Sequence, residues 1–103
     1  MKVELLYFEG CPSHDALLPR LRVLLEEAGH EGGVELRRVE SPEAAEAERF
    51  LGSPSVRVNG RDVEPGAEKR TDVGLKCRLY RTPEGLRGTP PEQWVAYALD
   101  GCP

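Results

Sequence analysis

Residues 2–14 read KVELLYFEGCPSH, and this stretch decides the fold. The segment from Val3 to Phe8 is almost wholly apolar and rich in strand formers, which is typical of a strand buried on both faces. Glu9 and Gly10 end that strand, and Pro12 suits the first position of a helix. The pattern therefore places Cys11 between a buried strand and the start of a helix.

Outward from this stretch, the first half of the chain alternates between strands and helices. A helix is predicted after Pro12, since apolar residues recur there with helical spacing at Leu17, Leu18, Leu21, Leu24, Leu25 and Ala28. Residues 34–39 read as a second strand at a sheet edge. Ser41 and Pro42 are a cap and first-turn proline for a second helix over 43–51. This order predicts an α/β protein whose first two strands are parallel neighbours.

The second half of the chain predicts antiparallel strands and a last helix. Asn59-Gly60 between Val56, Val58 and Val63 is a strong hairpin signal, so the third and fourth strands should pair antiparallel. Residues 64–74 and 82–88 read as loops. Alternation of Leu75, Cys77 and Leu79 predicts a further strand with these side chains facing the core, and Thr89 reads as the cap of the final helix. We expect a mixed sheet of four or five strands with helices on both faces.

Composition bounds the class of protein. The chain has 103 residues, of which 39% are apolar and 31% charged, and this fits one soluble globular domain spanning 1–103. The net charge is −4 without a basic run, so the sequence predicts no nucleic-acid partner. No apolar run approaches the ~20 residues that a membrane span needs, and the N-terminus lacks the pattern of a secretion signal. We therefore expect a cytoplasmic protein without a membrane partner.

Cys11 is the residue whose position most strongly predicts chemistry. At the N-terminus of a helix, unpaired backbone N–H groups and the positive end of the helix dipole both favour a thiolate. His14 follows three residues later, where it could hold positive charge near the sulfur or carry a proton. Cys11 is accordingly expected to have a lowered pKa and to be the most reactive thiol.

The other two cysteines are open to more than one interpretation. Cys77 is either a buried core thiol or a partner of Cys11 brought near by a later strand. Cys102, close to the C-terminus, reads as a tail residue without a role, or else as a thiol that reaches over the surface to form a disulfide with Cys11 or with another molecule. An odd number of cysteines and no secretion signal point away from a secreted disulfide scaffold.

Two prolines complete a pattern of residues and elements that resembles a known family. Pro19 stands eight residues after Cys11 within the predicted helix, and Ser53-Pro54-Ser55 precedes the third strand. With the order of elements, these features resemble the thioredoxin-like superfamily over essentially the whole chain apart from 65–88. More narrowly, GCP, FLGSP, RVNGRDVEP, RTDVGLKCRLY and TPPEQW look like a small bacterial thioredoxin-like family, some of whose members are selenoproteins.

The resemblance implies a thiol–disulfide redox protein. Cys11 would be its nucleophile, and a cis Ser53–Pro54 bond would lie beside it; Pro12, Ser53 and Pro54 would bind the substrate. His14 stands where the superfamily has its second cysteine, so the motif is CxxH and cannot release a mixed disulfide by itself. Cys77 or a small thiol would then resolve the intermediate.

The partners implied are proteins or low-molecular-weight thiols and disulfides, with no cofactor and no resident metal. Two other functions stay open from the sequence. One is a metal- or metalloid-binding thiolate protein that uses Cys11, His14 and perhaps Cys77. The other is a binding module of the same fold without redox activity.

Overall fold

The computed structural model describes residues 2–30 and 32–100, so Cys102 lies outside the described residues. Its centre is a four-stranded mixed sheet in the order β2-β1-β3-β4. The strands are β1 (Val3–Tyr7), β2 (Val34–Arg38), β3 (Ser55–Val58) and β4 (Arg61–Asp62). β1 pairs parallel with β2 and antiparallel with β3, and β3 pairs antiparallel with β4. The predicted mixed sheet and its strand directions are confirmed.

Helices cover both faces of this sheet because successive side chains of β1 point to opposite sides. Val3 and Leu5 face α1 (Ser13–Glu27) and α3 (Glu92–Leu99), which bury Leu17, Leu21, Leu25, Val95 and Leu99 against them. Leu6 points to the other face. There it packs with Val39, Phe50 and Ala45 of α2 (Pro42–Glu48). In the described part of the chain, none of the helices is long and apolar enough to cross a bilayer.

Local turn and cap chemistry explains most element ends. Asn59 and Gly60 both have positive φ (54° and 83°), the geometry of a two-residue hairpin turn, as Asn-Gly predicts. The Ser41 hydroxyl accepts from the Ala44 N–H at 3.0 Å and caps α2. α2 ends at Glu48, earlier than predicted, because Arg49 takes a left-handed conformation (φ 53°).

Two predictions for the C-terminal third are wrong. Thr89 does not cap α3; Pro91 occupies that position, and no side chain caps the helix. Residues 82–88 are not a plain loop, since β5 (Tyr80–Thr82) and β6 (Gly85–Arg87) form a separate antiparallel hairpin. The predicted loop 64–74 contains a short 3₁₀ turn at Ala67–Lys69.

The predicted strand through Cys77 is also wrong, and its faces are reversed. Arg78 and Tyr80 are buried, whereas Cys77 and Leu79 are exposed. Cys77 makes only an isolated parallel bridge, with Ser53. Apolar alternation fails here because the Arg78 guanidinium finds carboxylate partners inside the protein, so the charged residue is the one that faces inward.

Candidate functional site

Cys11 lies where the chain leaves β1 and enters α1. Its backbone N–H donates to the Phe8 carbonyl at 3.3 Å, which closes a turn at the end of the strand. Pro12, exposed, occupies the cap position of α1. The Cys11 residue is only 2% exposed, and its thiol donates to the Ser53 carbonyl at 3.4 Å. The sulfur is thus enclosed between the first turn of α1 and the segment that precedes β3.

That segment contains Ser53 and Pro54, which are both buried, and the peptide bond between them is cis, as predicted. Ser53 is also the point at which the Cys77 segment attaches. Its N–H donates to the Lys76 carbonyl at 2.8 Å, and its carbonyl accepts from the Arg78 N–H at 2.9 Å. These two bonds flank Cys77. The Ser53 carbonyl accepts from both the Arg78 N–H and the Cys11 thiol, so it links the two cysteine-bearing segments.

This arrangement places the exposed Cys77 beside the buried Cys11, so Cys77 is not a buried core thiol. Burial would raise the pKa of Cys11, but a hydrogen bond from the Cys77 thiol, together with the N–H and hydroxyl of Ser13, brings it below its ordinary value. The same hydrogen bond raises the pKa of Cys77, because that thiol keeps its proton beside the Cys11 sulfur. Of the two thiols, Cys11 is therefore the one that ionises at the lower pH.

The Ser53 side chain is a further polar group near this sulfur. Its hydroxyl oxygen is buried and makes no hydrogen bond to the residues that the structure describes. A buried hydroxyl without a partner is costly, and such groups are uncommon in folded proteins. The same hydroxyl makes a small contribution to the lowered pKa of Cys11.

His14 has a different place from the one expected. Its Nδ1 donates to the Cys11 carbonyl at 2.8 Å, its ring stacks on Tyr7 at 4.2 Å, and its Nε2 lies 3.3 Å from an Asp15 carboxylate oxygen. None of these contacts involves the Cys11 sulfur. His14 thus fixes the turn that carries Cys11, and the stabilisation of the thiolate comes from other groups.

A metal site formed by Cys11, His14 and Cys77 has little support. Over residues 2–30 and 32–100, no group of three or more His, Cys, Asp or Glu side chains could hold a metal ion. The Nδ1 of His14 is already used by a backbone carbonyl. Within those residues, Cys11, His14 and Cys77 therefore do not form a three-ligand site.

A buried ionic cluster under the site was not found from the sequence. The Arg78 guanidinium, whose side chain is fully buried, binds Asp62 at 2.7 Å, Glu64 at 3.0 Å and the Ser55 hydroxyl at 2.9 Å. It also lies 4.4 Å from the centroid of the Tyr80 ring. We call Arg78, Asp62, Glu64, Ser55 and Tyr80 the arginine cluster.

The arginine cluster fixes the two segments beside Cys11, which are the segment before β3 that contains Pro54 and the segment that contains Cys77. The Tyr80 hydroxyl donates to the Pro54 carbonyl, and the Ser55 hydroxyl donates to the Gly52 carbonyl at 2.6 Å. Arg78 is the next residue after Cys77, so its burial fixes where that thiol lies. The spacing of these residues in the sequence gives a partial signal for the cluster. Asp62 and Glu64 are two residues apart, as are Arg78 and Tyr80, so each pair would share one face of an extended strand. The local sequence does not indicate that this face is buried.

Comparison of the chain with protein-family models, with curated proteins and with solved structures gives no significant match.

The hydrogen bonds at the sulfur lead to a prediction for Ser13. We expect Ser13→Ala to raise the pKa of Cys11, because the hydroxyl donor is lost while the backbone N–H remains. Ultraviolet absorbance of the thiolate, followed against pH in a Cys102→Ser background, measures the change. His14→Ala is the matched control and should shift the pKa less, since its ring does not contact the sulfur. A larger shift for His14→Ala would contradict this account.

Proposed function

We propose that this chain is a thiol–disulfide oxidoreductase of thioredoxin-like fold whose redox pair is Cys11 and Cys77. The observation that carries the proposal is the bridge between Ser53 and Cys77, which sets the exposed Cys77 beside the buried Cys11 thiol that binds the Ser53 carbonyl. The two thiols also shift each other's pKa in opposite directions. Such a pair has both components that exchange needs, a thiolate to attack and a second thiol to form the internal disulfide.

The overall reaction is a two-electron exchange. A disulfide substrate accepts two electrons and two protons and leaves as two thiols, while Cys11 and Cys77 lose theirs and form one disulfide. In this reaction Cys11 and Cys77 together form the redox pair, and Cys77 takes the place of the second cysteine that the CxxH motif lacks. The reverse reaction, with a reduced partner, restores the two thiols.

The environment of the pair supports this assignment over a core role for the two cysteines. Hydrogen-bond donors of Cys77 and Ser13 favour the anionic form of Cys11, although its burial opposes it. A structural thiol in an apolar core has a raised pKa and is inert. The exposed Pro12 beside the thiol is the proposed contact for a substrate, whereas Ser53 and Pro54 are buried and support the site from below.

The fold supports the thioredoxin-like part of the proposal at the level of topology. The thiol follows the central strand β1, opens the long helix α1, and lies against the segment that leads into β3. We propose protein disulfides or small thiols and disulfides as the partners and a bacterial cytoplasm as the location.

Redox equilibration tests the proposed function. Protein with Cys102→Ser, which removes the third thiol, is equilibrated with glutathione and glutathione disulfide at a series of ratios. Peptide mass spectrometry then measures the fraction of the Cys11–Cys77 disulfide. We expect one transition between the dithiol and the disulfide, and each of Cys11→Ser and Cys77→Ser should abolish it.

Failure to form the internal disulfide would contradict the proposed function. If no Cys11–Cys77 disulfide forms at any ratio, the proposed redox pair is wrong. A protein that then stays as free thiols is better explained as a binding module, and one that carries glutathione on Cys11 alone would be a monothiol protein.

A further inference from the structure

The two thiols of the redox pair differ sharply in their access to solvent. Cys11 is 2% exposed, whereas Cys77 is exposed. The neighbouring Leu79 is 61% exposed, so the backbone on that side of Cys77 also lies at the surface. In exchange a sulfur must reach the disulfide that it attacks, and the rate depends on access as well as on the thiolate fraction. Cys11 has the lower pKa, but Cys77 has the access to a substrate.

We propose that Cys77 is the thiol that forms the mixed disulfide with the substrate, and that Cys11 resolves it by attacking the Cys77 sulfur. The inference rests on the proposed function and reverses the order that the N-terminal motif suggests. It gives each cysteine the step for which its position is suited. Cys77 meets the substrate at the surface, and Cys11 acts only on a sulfur that is already beside it.

The first step forms the mixed disulfide on Cys77. As the Cys77 sulfur attacks one sulfur of the substrate disulfide, its proton passes along the hydrogen bond to the Cys11 thiolate. The substrate S–S bond breaks, and its second half leaves as a thiolate. Cys11 is then a thiol, and in that form it donates to the Ser53 carbonyl at 3.4 Å.

The second step releases the substrate. The thiolate that left in the first step, or solvent, takes the proton from Cys11. The Cys11 thiolate attacks the Cys77 sulfur, the mixed disulfide breaks, and the remaining half of the substrate leaves as a thiolate. The two protein sulfurs have lost two electrons and the substrate disulfide has gained them. The Cys77 proton and one proton from solvent complete the two product thiols.

The geometry around Ser53 supports this division of labour. Its N–H and carbonyl bind Lys76 and Arg78 on the two sides of Cys77, and the same carbonyl binds the Cys11 thiol. Cys77 is therefore held over Cys11 by the backbone. The same bonds would keep the Cys77 sulfur within reach of Cys11 while it carries a substrate.

Trapping with glutathione disulfide tests the order of the two steps. In a Cys102→Ser background, Cys11→Ser should accumulate glutathione on Cys77, because nothing can resolve it. Cys77→Ser should form the adduct on Cys11 at least about tenfold more slowly, since that sulfur is buried. Cys77→Ala is the matched variant; it leaves a smaller side chain beside Cys11 and should form the adduct faster than Cys77→Ser.

A rapid acid quench of the protein with both cysteines present provides the second measurement, independent of whether a variant folds well. Early time points should contain glutathione on Cys77, which then converts to the Cys11–Cys77 disulfide. Glutathione found first on Cys11, or equal adduct rates for Cys11→Ser and Cys77→Ser, would overturn the inference and leave the proposed function intact. Absence of the internal disulfide would instead remove the proposed function itself.

Discussion

Replacement of Arg78 by Met is expected to lower the free energy of unfolding by about 3 kcal/mol. Met fills a similar volume, but Asp62 loses its cation and remains partly buried, while Glu64 keeps only its ion pair with Arg70. Removal of one partner from a buried ion pair costs about 3–5 kcal/mol, and we expect the low end because both carboxylates retain some contact with water. Urea unfolding of the reduced protein measures the change.

The same variant should loosen the redox pair. Since Arg78 follows Cys77 directly, loss of its anchor lets Cys77 move away from Cys11, and the pKa of Cys11 should rise toward its ordinary value. Arg61→Met is the control, because Arg61 is an exposed arginine of β4 next to Asp62. A surface change of this kind should alter stability by less than about 0.5 kcal/mol. Equal losses in the two variants would contradict the proposed role of the arginine cluster.

Gly52→Ala should have a comparable effect for a different reason. Gly52 has a φ of 124°, a conformation that other residues rarely adopt. A β-carbon added here would lie 2.8 Å from Cβ of Arg78 and 3.0 Å from the Lys76 carbonyl oxygen. Backbone strain alone costs about 1–3 kcal/mol, and relief of the close contacts must push the Cys77 segment outward. We expect a loss of about 3 kcal/mol and a higher pKa for Cys11.

Gly66→Ala separates the two causes. Gly66 also has a positive φ (82°), but a β-carbon there would meet no atom within 4 Å. It should cost only the conformational part, about 1 kcal/mol, and should leave the pKa of Cys11 unchanged. Chemical denaturation and thiolate absorbance against pH measure both quantities. If the two alanine variants behave alike, the contact between Gly52 and the Cys77 segment does not matter to the site.

The parts of the fold that could be predicted are those for which local chemistry is sufficient. The apolar run Val3–Tyr7 is a central strand, since both its faces need cover and the chain supplies helices on each side. Asn59-Gly60 is a hairpin turn, because both residues tolerate positive φ. The Ser53–Pro54 bond, by contrast, was expected from its place in a pattern that resembles a known superfamily.

The Cys77 region could not be predicted because its conformation depends on residues far away in the sequence. Leu75, Cys77 and Leu79 alternate as a buried face would, yet the buried residues are Arg78 and Tyr80. The carboxylates of Asp62 and Glu64 offset the cost of burying the Arg78 guanidinium. The face of the segment that carries Arg78 is therefore the buried one. A local pattern of apolar residues carries no information about an ionic contact with residues so far away in the sequence.

The place of Cys11 at the start of α1 could be predicted from the sequence, but its surroundings could not. Its pKa is lowered in part by the N–H of Ser13, as a helix N-terminus predicts. The largest lowering cause is Cys77, and the contacts of His14 do not include the sulfur. Proximity of residues 11 and 77 follows from the bridge at Ser53, and no spacing in the sequence encodes it.

The contact between Cys11 and Cys77 has a consequence for how redox state and folding depend on each other. In a CxxC motif the disulfide closes a very small ring, but a bond between these two cysteines would close a loop of about 66 residues, most of the chain. In the chain-entropy model, a loop of that length reduces the freedom of the unfolded state by about 4 kcal/mol. Oxidation would then stabilise the folded state relative to the unfolded state. By the same thermodynamic cycle, a partner that reduces the protein must supply that free energy, so the stability of the domain helps to set its redox potential.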